Sequence, residues 1–289
     1  MRARTHVRMQ LLACVLCKGP MGTAFDFRHA ARGTNAMMDE LGRSLANICR
    51  VCPDGIVAFF PSYAYEQQCH DRWKQSGLLD RLAGTKHLFR EPSGSDGPPV
   101  DTVLREFQEA IEKPRALDKS PPCPKPAPPG SSQGNKQTGA MLNCVVGGKL
   151  SEGINFSDHL GRCIVMIGLP YPNPHDPELK ERMDFERFKV ARMASSSHGA
   201  ASRGLEDAGK EFYENICMRA VNQSIGRAIR HMNDYASIVL LDGRYARQST
   251  KARLPGWITD KQFVTAESYG VLQQALCKFF KGKGSFSSA

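Results

Sequence analysis

Five short apolar runs, separated by stretches with helical spacing, constrain this chain more than any other feature. They are Leu11–Cys17, Ile56–Phe60, Met141–Val146, Cys163–Gly168 and Ser237–Asp242. β-branched residues are frequent in them, and three lack the polar alternation of a strand with one wet face. Such runs suit parallel strands buried on both sides. Helical patterns fall between them, near Asn35–Arg50, Ala64–Ser76, Val100–Glu112, Pro177–Met193 and Glu211–His231. A last helix is expected from near Glu267, where Tyr269, Leu272, Leu276, Phe279 and Phe280 form one stripe. The alternation predicts an α/β fold, with a mostly parallel sheet and helices on both faces.

Two stretches interrupt this order. Lys113–Gln137 holds seven prolines and is expected to be a disordered or extended insertion. Ala194–Gly204, rich in serine, alanine and glycine, reads as a flexible loop. The expected organisation is an extension over 1–10, one domain over 11–281 interrupted at 113–137 and 194–204, and a frayed tail over 282–289. The start, basic and then apolar, imitates a secretory leader. Its apolar part is short, however, and no small-x-small cleavage site follows, so a strand is expected there.

Ten cysteines in 289 residues are too sparse for a disulfide scaffold. Two CxxC pairs occur, Cys14/Cys17 and Cys49/Cys52, but 31 residues separate them, beyond the ~15–20 of a two-pair zinc site. Cys14 and Cys17 also sit inside an apolar run. Buried reduced thiols, and no metal site, are the expectation; reduced thiols imply a nuclear or cytosolic compartment. The net charge of +10 fits a polyanionic partner such as nucleic acid, and equally a solvated basic surface. No apolar run reaches the ~18 residues of a membrane span.

Three motifs carry chemistry. Gln223-Ser-Ile-Gly-Arg227-Ala-Ile-Arg230-His231 reads Q-x-x-G-R-x-x-R in a helical segment. At helical spacing Gln223, Gly226, Arg227 and Arg230 share one face, while Cys217, Val221, Ile225, Ala228 and Ile229 take the other. Two guanidinium forks beside an amide and a bare glycine suit polyphosphate, because their charge does not titrate. Gly147-Gly-Lys149-Leu-Ser-Glu152-Gly153-Ile-Asn155-Phe-Ser-Asp158 follows a predicted strand. It reads either as an anion-facing loop at a strand's carboxyl end or as an ordinary glycine-rich turn with a surface lysine. Phe59-Phe60-Pro61-Ser62-Tyr63 leads from a strand into a helix. Ser62 is a candidate N-cap near a phosphate-binding helix terminus, and Tyr63 a candidate stacking platform. A core aromatic pair before a plain turn is the other reading.

In this order, together with the words CIVMIGLPYPN and SIVLLDGRY, the chain resembles one family from about Leu11 to about Phe280. It is similar to the C-terminal motor domain of the iron–sulfur superfamily 2 DNA helicases of the xeroderma pigmentosum group D type, most of all their sister-chromatid-cohesion subgroup. The resemblance implies a RecA-like fold related to the P-loop NTPases, and a nuclear protein of DNA repair and cohesion. It implies that Phe60, Pro61, Ser62 and Tyr63 contact the translocating DNA strand. Lys149 through Asp158 would couple nucleotide state to DNA grip, with Lys149 on DNA and Glu152, Gly153 and Asn155 on the ATP side. Gln223, Gly226, Arg227 and Arg230 would reach the γ-phosphate, the arginines as fingers. The cofactor implied is ATP with Mg2+, shared with a separate N-terminal motor domain. A 4Fe-4S cluster belongs to that other half, and Cys14, Cys17, Cys49 and Cys52 are not assigned to it. The partners implied are single-stranded or forked DNA and the N-terminal motor domain. No G-x-x-x-x-G-K-[ST] and no DEAH-like box occurs in the sequence. The alternative is therefore a DNA-binding fragment without turnover of its own.

Overall fold

Seven strands form one sheet in which every pairing is parallel, in the order β3-β4-β2-β5-β6-β1-β7. They are β1 Leu11–Leu16, β2 Asp54–Phe60, β3 His87–Arg90, β4 Gly139–Val145, β5 Cys163–Ile167, β6 Ala236–Leu241 and β7 Gln262–Ala266. The computed structural model describes residues 11–94, 97–117, 137–150, 156, 158–194, 201–228, 234–260 and 262–284. The five strands read from apolar runs are all present, each within a residue or two of its expected bounds. The two strands the sequence reading missed, β3 and β7, are the sheet's edges. Their residues are only partly covered, so neither shows a continuous apolar run.

Helices cover both faces, as expected. On one face lie α2 Asn35–Val51, α3 Tyr63–Ser76, α4 Leu78–Ala83 and α10 Tyr269–Gly284, after the short α1 His29–Arg32. Their apolar residues join Leu12, Cys14, Leu16, Ile56, Ala58 and Phe60 in one core. The other face carries α5 Val100–Leu117, α7 Ala201–Ile225 and two short helices, α8 Gln248–Lys251 and α9 Gly256–Thr259. There Leu11, Ala13, Val15, Val57 and Phe59 meet Phe107, Ile111, Cys217, Val221 and Ile225. Alternate residues of one strand enter opposite cores, as the period of two requires. The helix α6 Pro177–Ala194 pairs with α7. Ala201–Gly204, expected as a loop, is helical because α7 starts at Ala201; residues 195–200 lie outside the described residues. Of the proline-rich stretch, 113–117 continue α5 and 118–136 lie outside the described residues, as do 1–10 and 285–289.

The same alternation settles the geometry of the first CxxC pair. Cys14 is in one core, whereas Cys17 packs against the other, so the two thiols diverge across the sheet. Burial pushes Cys14 and Cys49 up to about 12. Among the described residues, no group of three or more His, Cys, Asp or Glu is placed to hold a metal ion, and no helix is long and apolar enough to cross a membrane.

Charge is buried where strands enter the sheet. Lys86, fully buried, donates from Nζ to the carbonyls of Asp54 (3.0 Å) and Thr138 (2.9 Å), tying the entry to β3 onto the starts of β2 and β4. Burial holds its ammonium below the usual lysine range, against the pull of Cys49 and Cys52. Trp73 is the largest fully buried side chain. Its indole N–H donates to the Met38 carbonyl at 2.7 Å, and its ring lies 6.3 Å from that of Phe60. Trp73→Ala is expected to cost about 3–5 kcal/mol, measured by urea denaturation followed by circular dichroism.

Candidate nucleotide and nucleic-acid site

In an all-parallel sheet every strand leaves at one edge. The turns after β3, β4 and β2 therefore lie side by side, with the β6 turn two strands further along the same edge, where α/β sheets bind ligands. Ser62 ends the β2 turn. Its Oγ accepts from the Tyr65 N–H at 3.2 Å and caps α3, satisfying one of the free amides of a helix start. Next to it, Tyr63 Oη donates to Glu91 Oε1 at 2.8 Å. Glu91, 6% exposed at the exit of β3, is the centre of this edge. Its two oxygens also accept from the backbone N–H groups of Val145 (2.8 Å) and Leu150 (3.0 Å). Gly147 adopts φ +74, a left-handed turn that favours glycine. Any side chain at Gly148 would collide with the Glu91 carboxylate and stand 2.7 Å from Tyr63 Oη.

This packing perturbs Tyr63. Burial first, and then the hydrogen bond to Glu91, raise its phenol to about 12, against a bond from the Lys149 backbone. The Lys149 side chain itself is exposed. A second acid braces the same corner. Glu66, in the first turn of α3, accepts from Arg90 Nε (2.9 Å) and from Asn143 Nδ2 (2.9 Å).

Further cations follow the other exits. Arg244, after β6, is clamped by the buried Asp242 through Nε (2.9 Å) and Nη2 (2.8 Å). Its guanidinium lies 5.8 Å from the centre of the Tyr171 ring. That ring, half exposed, stacks on Tyr213 at 5.0 Å. Lys18 is exposed after β1, and Arg32 sits over the Tyr65 ring at 5.1 Å. Basic groups interleaved with aromatic faces suit a single-stranded nucleic acid.

Phe60 requires a correction. Its side chain is fully buried between Tyr65 and Trp73, because the strand alternation turns it to the inner face with Ala58 and Ile56. It supports the turn and cannot present its ring to a ligand. Ser62, Tyr63 and Lys149 do come together, through Glu91, which the sequence reading overlooked.

The Q-x-x-G-R block lies elsewhere. Helix α7 runs from β5 back towards the start of β6, so its end is at the edge where strands enter. The helix stops at Ile225, and its continuation tightens, with Arg227 and Ala228 N–H bonded to the Ser224 and Ile225 carbonyls. Gln223 and Gly226 are exposed and Arg227 is half-buried, while Cys217, Val221, Ile225 and Ala228 are buried opposite. Beside them Asn215, Met218, Arg219, Asn222, Gln223 and Arg253 line an open depression of about 490 Å³. Arg230, His231, Glu152, Gly153 and Asn155 lie outside the described residues.

The glycine-rich segment joins the two edges. It begins at the exit of β4, where Glu91 holds it. Phe156, two residues before its end, is buried edge-on to Phe59 at 6.3 Å. It ends at the entry to β5, where the Asp158 N–H donates to Asp234 Oδ2 at 3.2 Å. Arg162 completes that end. It donates from Nη1 to Asp234 Oδ1 (2.9 Å) and to the Tyr235 carbonyl (2.8 Å), with its guanidinium 3.9 Å from the Tyr235 ring centre.

Residues 45–261, more than half of the chain, match the family model of the helicase C-terminal domain. The chain belongs to this family. The resemblance drawn from its motifs is borne out, and so is the α/β class with a parallel sheet. The chain is similar to the ATP-dependent DNA helicase DDX11 of Danio rerio, 44% identical over 273 residues, covering 94% of this chain and 27% of that protein. It is also similar to the ATP-dependent DNA helicase chl1 of Schizosaccharomyces pombe, 37% identical over 269 residues, covering 93% and 28%. This helicase C-terminal domain thus spans only 27–28% of the length of these curated relatives. A solved structure named XPD_Helicase aligns with a TM-score of 0.49 and 19% identity, over 88% of this chain and 35% of that one.

The environment of Tyr63 yields a pH test. An ordinary tyrosine ionises near 10, whereas Tyr63 is raised to about 12. Its protonated form is the one the fold favours, so this stabilisation is complete below about pH 10 and is lost as pH rises through about 12. The difference in absorbance at 295 nm between wild type and Tyr63→Phe is expected to titrate near the raised value. Glu91→Gln should move that midpoint down.

Proposed function

We propose that this helicase C-terminal domain is the second RecA-like half of an ATP-dependent DNA helicase. Its exit edge forms part of the single-strand track and its entry edge supplies arginine fingers. The observation that carries the reading is the cluster at the exit edge, where Glu91 joins Tyr63 to the Val145 and Leu150 amides, together with Gln223 and Gly226 exposed and Arg227 half-buried at the end of α7. In this reading Ser62, Tyr63 and Lys149 grip one DNA strand, with Arg244 and Tyr171 alongside. Arg227 and Arg230 donate to the γ-phosphate oxygens of ATP bound on a P-loop domain, and Gln223 orients beside them. Negative charge spreads over those oxygens in the transition state, and a guanidinium fork stabilises it without a proton to lose. Exposed Gly226 leaves backbone room for that approach. Glu152, Gly153 and Asn155 are proposed on the nucleotide side of the coupling segment.

The Mg2+ that accompanies ATP would be held by the other half, since this sequence has no P-loop or DEAH-like box. The described cysteines do not fit a 4Fe-4S cluster, because Cys14 and Cys17 diverge and buried thiols resist ionisation. The family resemblance supports a nuclear protein of DNA repair and sister-chromatid cohesion, organised as a domain over 11–281.

The absent P-loop motif favours a second reading for the polypeptide alone, a DNA-binding fragment without turnover. A coupled phosphate-release assay separates the two. The chain by itself is expected to hydrolyse no ATP. Joined to the P-loop half of a full-length relative it should turn over, and Arg227→Ala or Arg230→Ala should then lower kcat by about 10³–10⁵. Normal turnover in both variants would rule out the finger assignment. The isolated chain should bind oligothymidylate with an affinity that falls as log K against log salt with a slope near −0.7 per phosphate contact, measured by fluorescence anisotropy. Binding indifferent to salt would contradict the track.

A further inference from the structure

We propose that the outward face of α6 is a self-docking surface, through which two copies of this chain pair antiparallel about a two-fold axis between Phe185 and Phe188. The proposal goes beyond the helicase reading and does not depend on it.

Helix α6 carries two seams. The inner one, Leu179, Met183 and Val190, is buried or half-buried, where α6 packs on α7. Gly209 of α7 permits the close approach, since a Cβ there would stand 2.6 Å from Arg187 Nε. The outer seam is Glu181, Phe185, Phe188 and Arg192, at i, i+4, i+7 and i+11. That is the spacing of a helix that packs along a second helix. Nothing polar is needed to explain a phenylalanine that points inward, but these two point out. Phe185 and Phe188 are 59% and 61% exposed, more than any other aromatic ring among the described residues. Lys189 Nζ, 5.7 Å from the Phe185 ring centre, shields only part of one of them.

The charges around the rings select the cover. Glu181 lies before the phenylalanines and Arg192 after them, both exposed. Lay a second α6 antiparallel, with Phe185 against Phe188 of the second copy, and Glu181 faces Arg192 of the second copy. Each contact then occurs twice, as an isologous two-fold interface requires. A parallel arrangement would set Glu181 against Glu181 and Arg192 against Arg192, which like charge opposes. Glu181 has no ion-pair partner among the described residues, so the pairing breaks no existing bridge on the acid's side. A nucleic acid fits this face poorly. Four acidic residues interleave with five basic ones along α6, and the acids would repel phosphate. The two rings offer roughly 200–300 Å² of apolar surface on each copy. This is short of the ~1,200 Å² of a stable interface, so the dimer is weak and depends on concentration.

Sedimentation equilibrium of this chain from about 1 to about 200 µM covers the affinities of such small interfaces. The mass should rise from the 31.9 kDa of one copy towards twice that value. All the residues to be changed are exposed, so circular dichroism should stay that of the wild type. Phe185→Ser combined with Phe188→Ser should weaken association by about tenfold or more. Glu181→Arg alone and Arg192→Glu alone should each weaken it too, because each sets like charges opposite one another. Mixed in equal amounts, these two charge variants should associate with each other. The new arginine of one then meets the new glutamate of the other, and the two remaining native residues also meet. A change that only disturbed the helix would show no such recovery. A chain that stays a single copy at the highest concentration overturns the proposal and leaves the face to a different protein. Association that survives the paired serine variant overturns it as well, as do charge variants that ignore each other when mixed.

Discussion

Parallel pairing is the constraint on which everything else in this molecule depends. A parallel strand cannot return by a hairpin, so each connection crosses the sheet and every strand exits at the same edge. The pairing of β2 with β4 runs from Asp54 opposite Gly139 to Phe60 opposite Val145. That register sets Ser62 and Gly147 side by side although more than eighty residues separate them in the chain. A slip of one residue would turn Phe59 and Phe60 to the wrong cores and part the two turns. The apolar cores on both faces are thus what aligns the polar edge.

Both edges are held by acids as much as by the basic groups that give the chain its charge. Glu66, Glu91, Asp242 and Asp234 are all buried, and each is satisfied by several donors. A buried carboxylate is tolerated only when its oxygens are fully engaged. Each one therefore fixes two or three elements at once, which neutral packing does not do. Removing either partner of the Arg162–Asp234 pair would leave a buried charge uncompensated, at about 3–5 kcal/mol. Such pairs contribute geometry more than net stability. They place Arg90 and Arg244 at fixed positions along the exit edge instead of leaving them on mobile side chains.

What could be read from the sequence follows from where residues sit. The inner strands are apolar because both faces are covered, so β1, β2, β4, β5 and β6 announced themselves. The edge strands β3 and β7 are half wet and short, and no periodicity marks them. The cap at Ser62 was legible because capping is local, one side chain and one amide three residues on. Glu91 was not, because its partners lie 28, 54 and 59 residues away and it follows the strand that was missed. Phe60 was misjudged for the opposite reason. Its motif is local, but the face it takes is set by the alternation of the whole strand. Helix α7 began ten residues before its expected start, because most helical stability comes from tertiary packing, here against α6, and not from local propensity.

The position of the arginine-bearing loop is the last consequence of this topology. A helix that connects two neighbouring parallel strands must run against them, so its end lies opposite the edge where those strands exit. The Q-x-x-G-R block is therefore separated from the Tyr63–Glu91–Lys149 cluster by the full length of the sheet, and no side chain spans that distance. Among the described residues, the chain leaving β4 meets Glu91 at Leu150, and the chain entering β5 meets Asp234 at Asp158, so each end meets a buried carboxylate. The glycines that first marked the Gly147 turn as an anion-binding loop serve a second purpose here. They let the chain turn beneath Glu91 closely enough for one carboxylate to hold the strand exit and the segment together.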